Sequence, residues 1–473
     1  TNVLVQSSRF FEGSEKMETQ LPQLTAKNLK NLFDADHGGF GKAPKFFYTD
    51  GLRLLLRIAH QQQDESLALP VWKTLDSILS GGVFDQIGGG FHRYSTDALW
   101  KTPHFEKMLY DNALLLRVFV EAWSVTQNEA YKRTAEKIIS WALREMKDKN
   151  GGYRSAIDAD SEHEEGAFYR WTPGEVEAVL KNSGAELSSQ SGFSSRFGFK
   201  TDPTFEGFFV PHLETPLSSS EEKEFAPLLE ILRKYRDQRE QPLRDDKKQT
   251  SWSSLWLGAL AFAGWAFENK AYVDEAERTW AWLWQEGASQ KHILGTKEFS
   301  PWFLEDAAYF LEATISLYAL TKKKEYFEKA LEIGHSLRQS FEDSREGGFF
   351  STRELQDDLL IRSIELFDSA LPSPYSVATE QMGRLHLLTG DPIWNESFER
   401  AIKRVLKTAE TQNGGCHRFA LAVNEILNSS IKINSNRFLG CEGESCDWGK
   451  EFFLRDIGSL LRSGHPELKS QVP

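Results

Sequence analysis

Cysteine is scarce, three residues in 473, too few for a disulfide framework, so a reducing compartment is expected. Positive charge is short as well: 56 Lys and Arg stand against 69 Asp and Glu, a net charge of −13. Nucleic-acid binders start from a basic field, and this composition does not supply one. Long apolar runs are missing; stretches such as 114–116 and 257–263 fall far short of the ~20 residues that span a bilayer. No basic-then-apolar leader opens the chain, which begins Thr1-Asn2. These absences set the expectation of a cytoplasmic protein with no membrane and no nucleic-acid partner. Aromatic residues, in contrast, are plentiful, with 33 Phe, 14 Trp and 12 Tyr, too many for a disordered chain.

A di-glycine followed by an aromatic recurs at Gly38-Gly39-Phe40, Gly89-Gly90-Phe91, Gly151-Gly152-Tyr153 and Gly347-Gly348-Phe349, with weaker copies at Gly207-Phe208 and Gly414-Gly415-Cys416. A further copy is expected near Gly295. Between these marks lie pairs of segments with apolar residues at helical spacing: 48–62 with 67–80, 104–127 with 129–147, 252–268 with 271–287, 304–321 with 324–341, and 374–389 with 392–410. Linkers as short as Gln127-Asn128 imply antiparallel hairpins. Thr102 is expected to cap a helix that Pro103 begins. About a dozen helices in hairpins, each followed by a glycine-aromatic loop, predict an all-α closed (α/α)6 toroid over 21–430. Residues 1–20 read as an N-terminal linker, 217–250 as a charged insertion with a helix at 221–239, and 431–473 as a C-terminal extension with a strand at 431–439.

Polar residues concentrate in three places. Residues 88–112, GGGFHRYSTDALWKTPHFEKMLYDN, hold His92, Arg93, His104, Glu106 and Asp111. On a helix from 103, His104, Met108 and Asp111 would share one face. A charge inside so apolar a helix either bonds a neighbour such as Arg93 or faces a wet cavity. The second place, 158–165, brings Asp158, Asp160, Glu162, Glu164 and Glu165 together around His163. It fails the calcium-loop template, with His163 where Gly is needed and Tyr169 where Glu is needed. Carboxylates so crowded suit acid/base work or sugar hydroxyls. The third set is Asp245, Asp246 and Trp252, with Asp306 and Asp368 at later hairpin starts. Dinucleotide, P-loop, serine-elbow and Cys-x-x-Cys signatures are all missing.

The segment 81–112, GGVFDQIGGGFHRYSTDALWKTPHFEKMLYDN, resembles the hallmark of the spermatogenesis-associated protein 20 family, described as thioredoxin-domain-containing proteins with a six-hairpin glycosidase-like region. The resemblance continues at 38–46, at 158–172, at Arg236, Arg239, Pro242, Asp245, Asp246 and Lys247, around Asp306, at Phe367-Asp368 and in Cys441 and Cys446. It covers about 25 to 460. It implies a toroid like that of N-acylglucosamine 2-epimerases, and a thioredoxin-like domain as partner in the parent chain. The chain departs from the family pattern at Trp252-Ser253-Ser254-Leu255, at Asp306-Ala307-Ala308 and at 372–376.

A toroid brings the loops of successive hairpins to one funnel, and the expected ligand there is a small carbohydrate. Glu106, Asp111, Asp160, His92 and His104 are the expected acid/base residues, with Arg93 orienting a carboxylate and Trp252 stacking on a sugar face. Asp158, Glu164, Asp245, Asp246, Asp306 and Asp368 are expected to take hydroxyls. Hydrolysis would need a carboxyl pair, and epimerisation two bases on opposite faces of a carbon. No metal and no cofactor are expected. The alternative is a non-catalytic module that binds a ligand or protein for a thioredoxin-like partner.

Overall fold

The computed structural model describes residues 19–62, 64–184, 187–199, 208–287, 290–296, 300–353 and 361–427. The strand expected at 431–439, Cys441, Cys446, Gly207 and most of 1–20 lie outside them. Fifteen α-helices run through the described residues: α1 (Leu21–Leu32), α2 (Thr49–Gln62), α3 (Glu65–Ser80), α4 (Leu109–Thr126), α5 (Glu129–Trp141), α6 (Pro173–Asn182), α7 (Leu187–Arg196), α8 (Ser219–Arg236), α9 (Thr250–Ala266), α10 (Lys270–Gly287), α11 (Leu304–Thr321), α12 (Lys324–Phe341), α13 (Pro374–Thr389), α14 (Pro392–Thr411) and α15 (His417–Leu427).

Six of these form a closed inner ring. Helix α2 packs on α4, α4 on α9, α9 on α11, α11 on α13, α13 on α15, and α15 returns to α2. Each carries an outer partner: α3, α5, α10, α12 and α14 follow α2, α4, α9, α11 and α13, and α1 covers α15. The sixth hairpin is thus made from the two ends of the ring, first helix against last. The fold is an (α/α)6 toroid. Sequence explains the layering. Helices α4, α9, α11 and α13 are buried nearly all round, α13 with Glu380, Gln381 and Arg384 among its buried residues, whereas α5, α12 and α14 show one apolar stripe.

The glycine-aromatic repeat is the turn that follows an outer helix. In the four full copies an Asp N–H donates to the carbonyl of the second Gly: Asp34 to Gly39 at 2.9 Å, Asp85 to Gly90 at 3.0 Å, Asp148 to Gly152 at 3.0 Å and Asp343 to Gly348 at 2.9 Å. The same Asp carboxylate accepts a backbone N–H two or three residues on. A cation then neutralises it, Lys45 on Asp34 at 2.6 Å, Lys107 on Asp85 at 2.7 Å and Arg404 on Asp343 at 2.7 Å. The second glycine is left-handed and lies against an aromatic ring, Trp100, Trp141, Trp282 or Tyr375.

The helix expected to start at Pro103 starts instead at Leu109, with Met108 at its cap. Pro103–His104 (β2) pairs antiparallel with Tyr94–Ser95 (β1), and the Thr102 carbonyl accepts the Thr96 N–H at 2.9 Å. The backbone around Pro103 is therefore committed to a ladder, and His104 shares no helix face with Asp111. A three-stranded sheet then joins Lys107–Met108 (β3), Ala156–Ile157 (β4) and Arg244–Asp245 (β7). Between β4 and β7 the chain leaves the ring. Asp160–Ser161 (β5) and Glu164–Glu165 (β6) form a hairpin. Helices α6, α7 and α8 then enclose a second core built on Trp171, Phe193, Phe197, Phe209, Phe225 and Leu232.

Candidate functional site

Five inner helices each precede an outer partner and α15 closes against α1, while contacts such as Tyr110 with Trp252 and Ser251 with Asp306 bring the starts of successive inner helices together. Their N-termini ring one mouth, and the long connections gather there. Helix N-termini carry unpaired N–H groups and partial positive charge, which favours carboxylates and hydroxyl oxygens at that end. The first turns supply them: Asp50 on α2, Asp111 on α4, Ser251 on α9, Glu305 and Asp306 on α11.

A cavity of about 310 Å³ opens between α2, α4 and α15. Asp50, Asp111, Asp368, Arg93 and His417 supply its charged and polar groups, and Phe46, Tyr48 and Leu371 are among its walls. Burial pushes the Asp111 acid well above the usual carboxylate range, against the pull of Arg93, and Glu106 adds to the push. Its Oδ2 has no hydrogen-bond partner among the described protein atoms. Asp368 accepts the Ser373 N–H and the Arg418 N–H, each at 2.9 Å. Burial and the charge of Asp50 nonetheless lift it to about 7. His417, the first residue of α15, is depressed to about 4 by burial and is neutral at pH 7. Its Nε2 also has no partner among the described protein atoms. The cavity therefore combines protonated or half-protonated carboxylic acids with an uncharged imidazole, the complement that proton transfer to and from a neutral polyol needs.

Across the ring lies a second group. Asp306, fully buried, accepts the Ser251 N–H and the Phe303 N–H, both at 2.9 Å, and meets His292 Nδ1 at 2.9 Å. Glu305 accepts the Ser251 hydroxyl at 3.1 Å and is pushed up to about 7 by burial and by the Asp306 charge. Among the described residues, these three are the one set of His, Asp and Glu whose donor atoms lie within 4.8 Å of one another. With both Asp306 oxygens already taken by N–H donors, the set reads as a hydrogen-bonded dyad with a neighbouring acid.

The structure brings Arg93, Asp111 and Asp368 together in the cavity. Glu106 stands behind Arg93 at 2.8 Å and holds His104 Nε2 at 3.0 Å, while His104 Nδ1 meets Glu165 at 2.7 Å. His104 also stacks on Tyr94, which packs on the cavity wall at Phe46. Trp252 packs edge-on against Tyr110 with centroids 4.7 Å apart, so its ring serves the wall between α4 and α9.

The remaining expected residues lie elsewhere. His92 is sealed between Phe105 and Tyr169, with Nδ1 on the Phe105 carbonyl at 2.8 Å. Burial and Lys107 hold it at about 3, so it stays neutral inside the wall. Asp158 and Asp160 are exposed on the β5–β6 hairpin, where Asp158 caps the N–H groups of Ala159 and Asp160. Glu164 pairs with Arg170 at 2.6 Å, Asp245 with Lys247 at 3.4 Å and Asp246 with Arg154 at 2.5 Å. None of these five lines the cavity. Sequence reasoning passed over Asp50, His292, Glu305 and His417. The available signal was position, since each stands in the first turn of an inner helix or in the loop before one.

No family model matches the chain. Human spermatogenesis-associated protein 20 is 30% identical over 478 residues, which cover 86% of this chain and 59% of that protein. The chain thus spans about three fifths of the length of this relative. Among solved structures, cellobiose 2-epimerase from Spirochaeta thermophila aligns with a TM-score of 0.55 at 12% identity, over 95% of this chain and all of that one. The cellobiose 2-epimerase of Bacillus thermoamylovorans gives 0.53 at 10% identity, over 90% and 100%. At such identities the likeness shows the six-hairpin fold alone. Among the described residues, no helix is long and apolar enough to cross a membrane.

Proposed function

We propose that the chain, a relative of spermatogenesis-associated protein 20, binds and processes a small carbohydrate, a reading drawn from the chemistry of the mouth. The observation that carries the reading is the cavity of Asp111, Asp368 and His417, where burial shifts all three groups away from their ordinary protonation. A structural tether would instead keep its carboxylates ionised against cations, as Asp85 is kept between Lys107 and Arg236. Support also comes from the apolar walls at Phe46 and Tyr48, since aromatic faces suit sugar C–H surfaces. The two solved toroids named above are carbohydrate enzymes by name, which agrees with this reading.

In the reaction, a carboxylic acid at Asp111 or Asp368 donates a proton to a sugar oxygen, and the neutral His417 accepts one. Either hydrolysis or epimerisation can use that pair. The test incubates the protein with glucose, mannose, N-acetylglucosamine, cellobiose and mannobiose in D2O and, separately, in ¹⁸O-labelled water. Deuterium entering a carbon-bound position reports epimerisation or isomerisation, and ¹⁸O at a new reducing end reports hydrolysis. Asp111→Asn and His417→Gln should each lower turnover by about 10²-fold or more while the fold is retained. Measurable binding of a sugar with no turnover would leave a binding module, and neither binding nor turnover would sink the carbohydrate reading.

A further inference from the structure

We propose that the ligand of the mouth is a glycoside with an apolar aglycone, aryl or alkyl, whose sugar enters the cavity while the aglycone lies on an aromatic rim of Phe46, Tyr48 and Phe367. This rests on the carbohydrate reading above and narrows it to one class of ligand.

Exposed aromatic surface is unevenly spread over the molecule. Among the described residues, five aromatic side chains are exposed, and three of them gather at the cavity: Phe46 at 44%, Phe367 at 42% and Tyr48 at 37%. Phe46 and Tyr48 line it directly. Phe367 precedes the lining residue Asp368, and its Cδ1 lies 3.3 Å from where a Cβ on the lining residue Gly415 would stand. Single exposed apolar side chains are ordinary. Three rings at one opening are not, because together they keep in water an apolar area that a ligand can cover.

Two of the rings are fixed in place. Phe46 packs on Tyr94 with centroids 5.1 Å apart. Tyr48 lies 5.5 Å from Phe40 and edge-on to His417 at 5.4 Å. Its backbone is left-handed, with φ of +49°, a conformation that costs an aromatic residue free energy. Its carbonyl nevertheless accepts the Leu52 N–H at 2.9 Å, so α2 begins from this strained residue. The strain is sustained by the packing on either side, and it leaves the ring on the cavity wall beside His417.

Polarity changes with depth. Asp50, Asp111 and His417 are buried, so the groups that suit sugar hydroxyls lie inside. At the edge, Ser369 and Ala370 are exposed beside the rings, and Arg93 is engaged by Glu106 at 2.8 Å. A second sugar at that level would lose water from its hydroxyls and find few partners in return. An aryl or alkyl group covers the rings and gives up no hydrogen bond.

Calorimetry on the full chain tests this with matched methyl and 4-nitrophenyl glycosides of glucose, mannose and N-acetylglucosamine, both anomers of each. At least one sugar should bind about 10- to 100-fold more tightly as the 4-nitrophenyl than as the methyl glycoside. Phe367→Ala, a change at an exposed position, should lower that ratio about fivefold. Equal affinities of each matched pair, or a ratio that Phe367→Ala does not alter, would overturn the inference and leave the carbohydrate reading standing. So would 4-nitrophenol alone binding as tightly as its glycosides, since the sugar would then add nothing to the rim. Self-association that Phe367→Ala abolishes and the glycosides leave untouched would give the rim to a second copy of the chain and overturn the inference as well. Binding of no glycoside of either kind, with turnover of none of the five sugars above, overturns both.

Discussion

At the scale of single residues, the cavity joins two groups whose protonation pulls stability in opposite directions with pH. Asp368 is lifted from 3.8 to about 7, so between about pH 4 and 7 the native state holds a proton that the unfolded chain has released. Stability from this group is present at low pH and is lost as pH rises through that window. His417 is depressed from 6.5 to about 4, so the unfolded chain binds the proton first. That contribution is present above about pH 6.5 and is lost as pH falls toward 4. The two slopes nearly cancel between about pH 4 and 6.5, and from there to about pH 7 only that of Asp368 remains. Asp368→Asn keeps one oxygen, for the Ser373 N–H or the Arg418 N–H but not both, a loss that does not vary with pH, and it cannot ionise. Its stability relative to wild type should therefore rise by on the order of 1–3 kcal/mol between pH 4.5 and 8. Urea unfolding at the two pH values measures this, and a gap that stays constant with pH would contradict it.

At the scale of elements, the glycine-aromatic turn can be tested against an internal control. Gly90 has φ of +77°, and a Cβ there would lie 2.5 Å from the Trp141 ring. Gly41 has nearly the same φ, +74°, with nothing within 4 Å of its Cβ position. Gly90→Ala combines backbone strain with overpacking and should cost about 2–4 kcal/mol, whereas Gly41→Ala should cost about 1 kcal/mol from the backbone alone. Urea midpoints for the two variants decide the matter, and equal losses would show that the ring contact contributes nothing.

The same turn shows what could be read from the sequence. Hairpins such as 304–321 with 324–341 were visible because a stripe repeating at helical spacing states burial directly. The start of α4 was misplaced because Pro103 suits a helix N-terminus and an edge strand equally well, and only the pairing with Tyr94–Ser95 decides between them. The Asp of each turn was overlooked, since an isolated carboxylate reads as solvated until its cation arrives from a distant segment, as Arg404 does for Asp343. Asp111 was legible as a charge inside an apolar helix with Arg93 as a neighbour it could bond, and Asp368 as a carboxylate at a hairpin start. His292 and His417 were not, because an imidazole signals a role only through its neighbours, and those come from other hairpins.

At the scale of the whole molecule, the axis beneath the mouth is filled by buried ion pairs. Glu121 on α4 holds Arg53 at 3.1 Å and Arg57 at 2.5 Å from α2, and Arg117 at 2.7 Å from its own helix. Arg418 on α15 reaches Glu312 on α11 at 2.9 Å and also pairs with Glu380 on α13. Arg384 joins Glu380 and Glu425, and Glu425 returns to Arg57 at 3.3 Å. Five of the six inner helices are thus linked through charge, in an open path that runs from α4 through α2 to α15 and on to α13 and α11. Such a network does not make the fold more stable than apolar packing would, but breaking it leaves charges buried and unpaired. Glu121→Leu removes the carboxylate that three arginines share, leaving Arg53 with Asp50 and Arg57 with Glu425, and should cost about 3–5 kcal/mol, with little relief in 1 M salt because the site is shielded from solvent. Because the ring is closed through its first and last helices, the loss should not stay in α4. Hydrogen exchange should rise in α2, α13 and α15 to the same degree as in α4. Loss of protection confined to α4 would mean that the hairpins hold independently and that the path of charges is incidental to the ring.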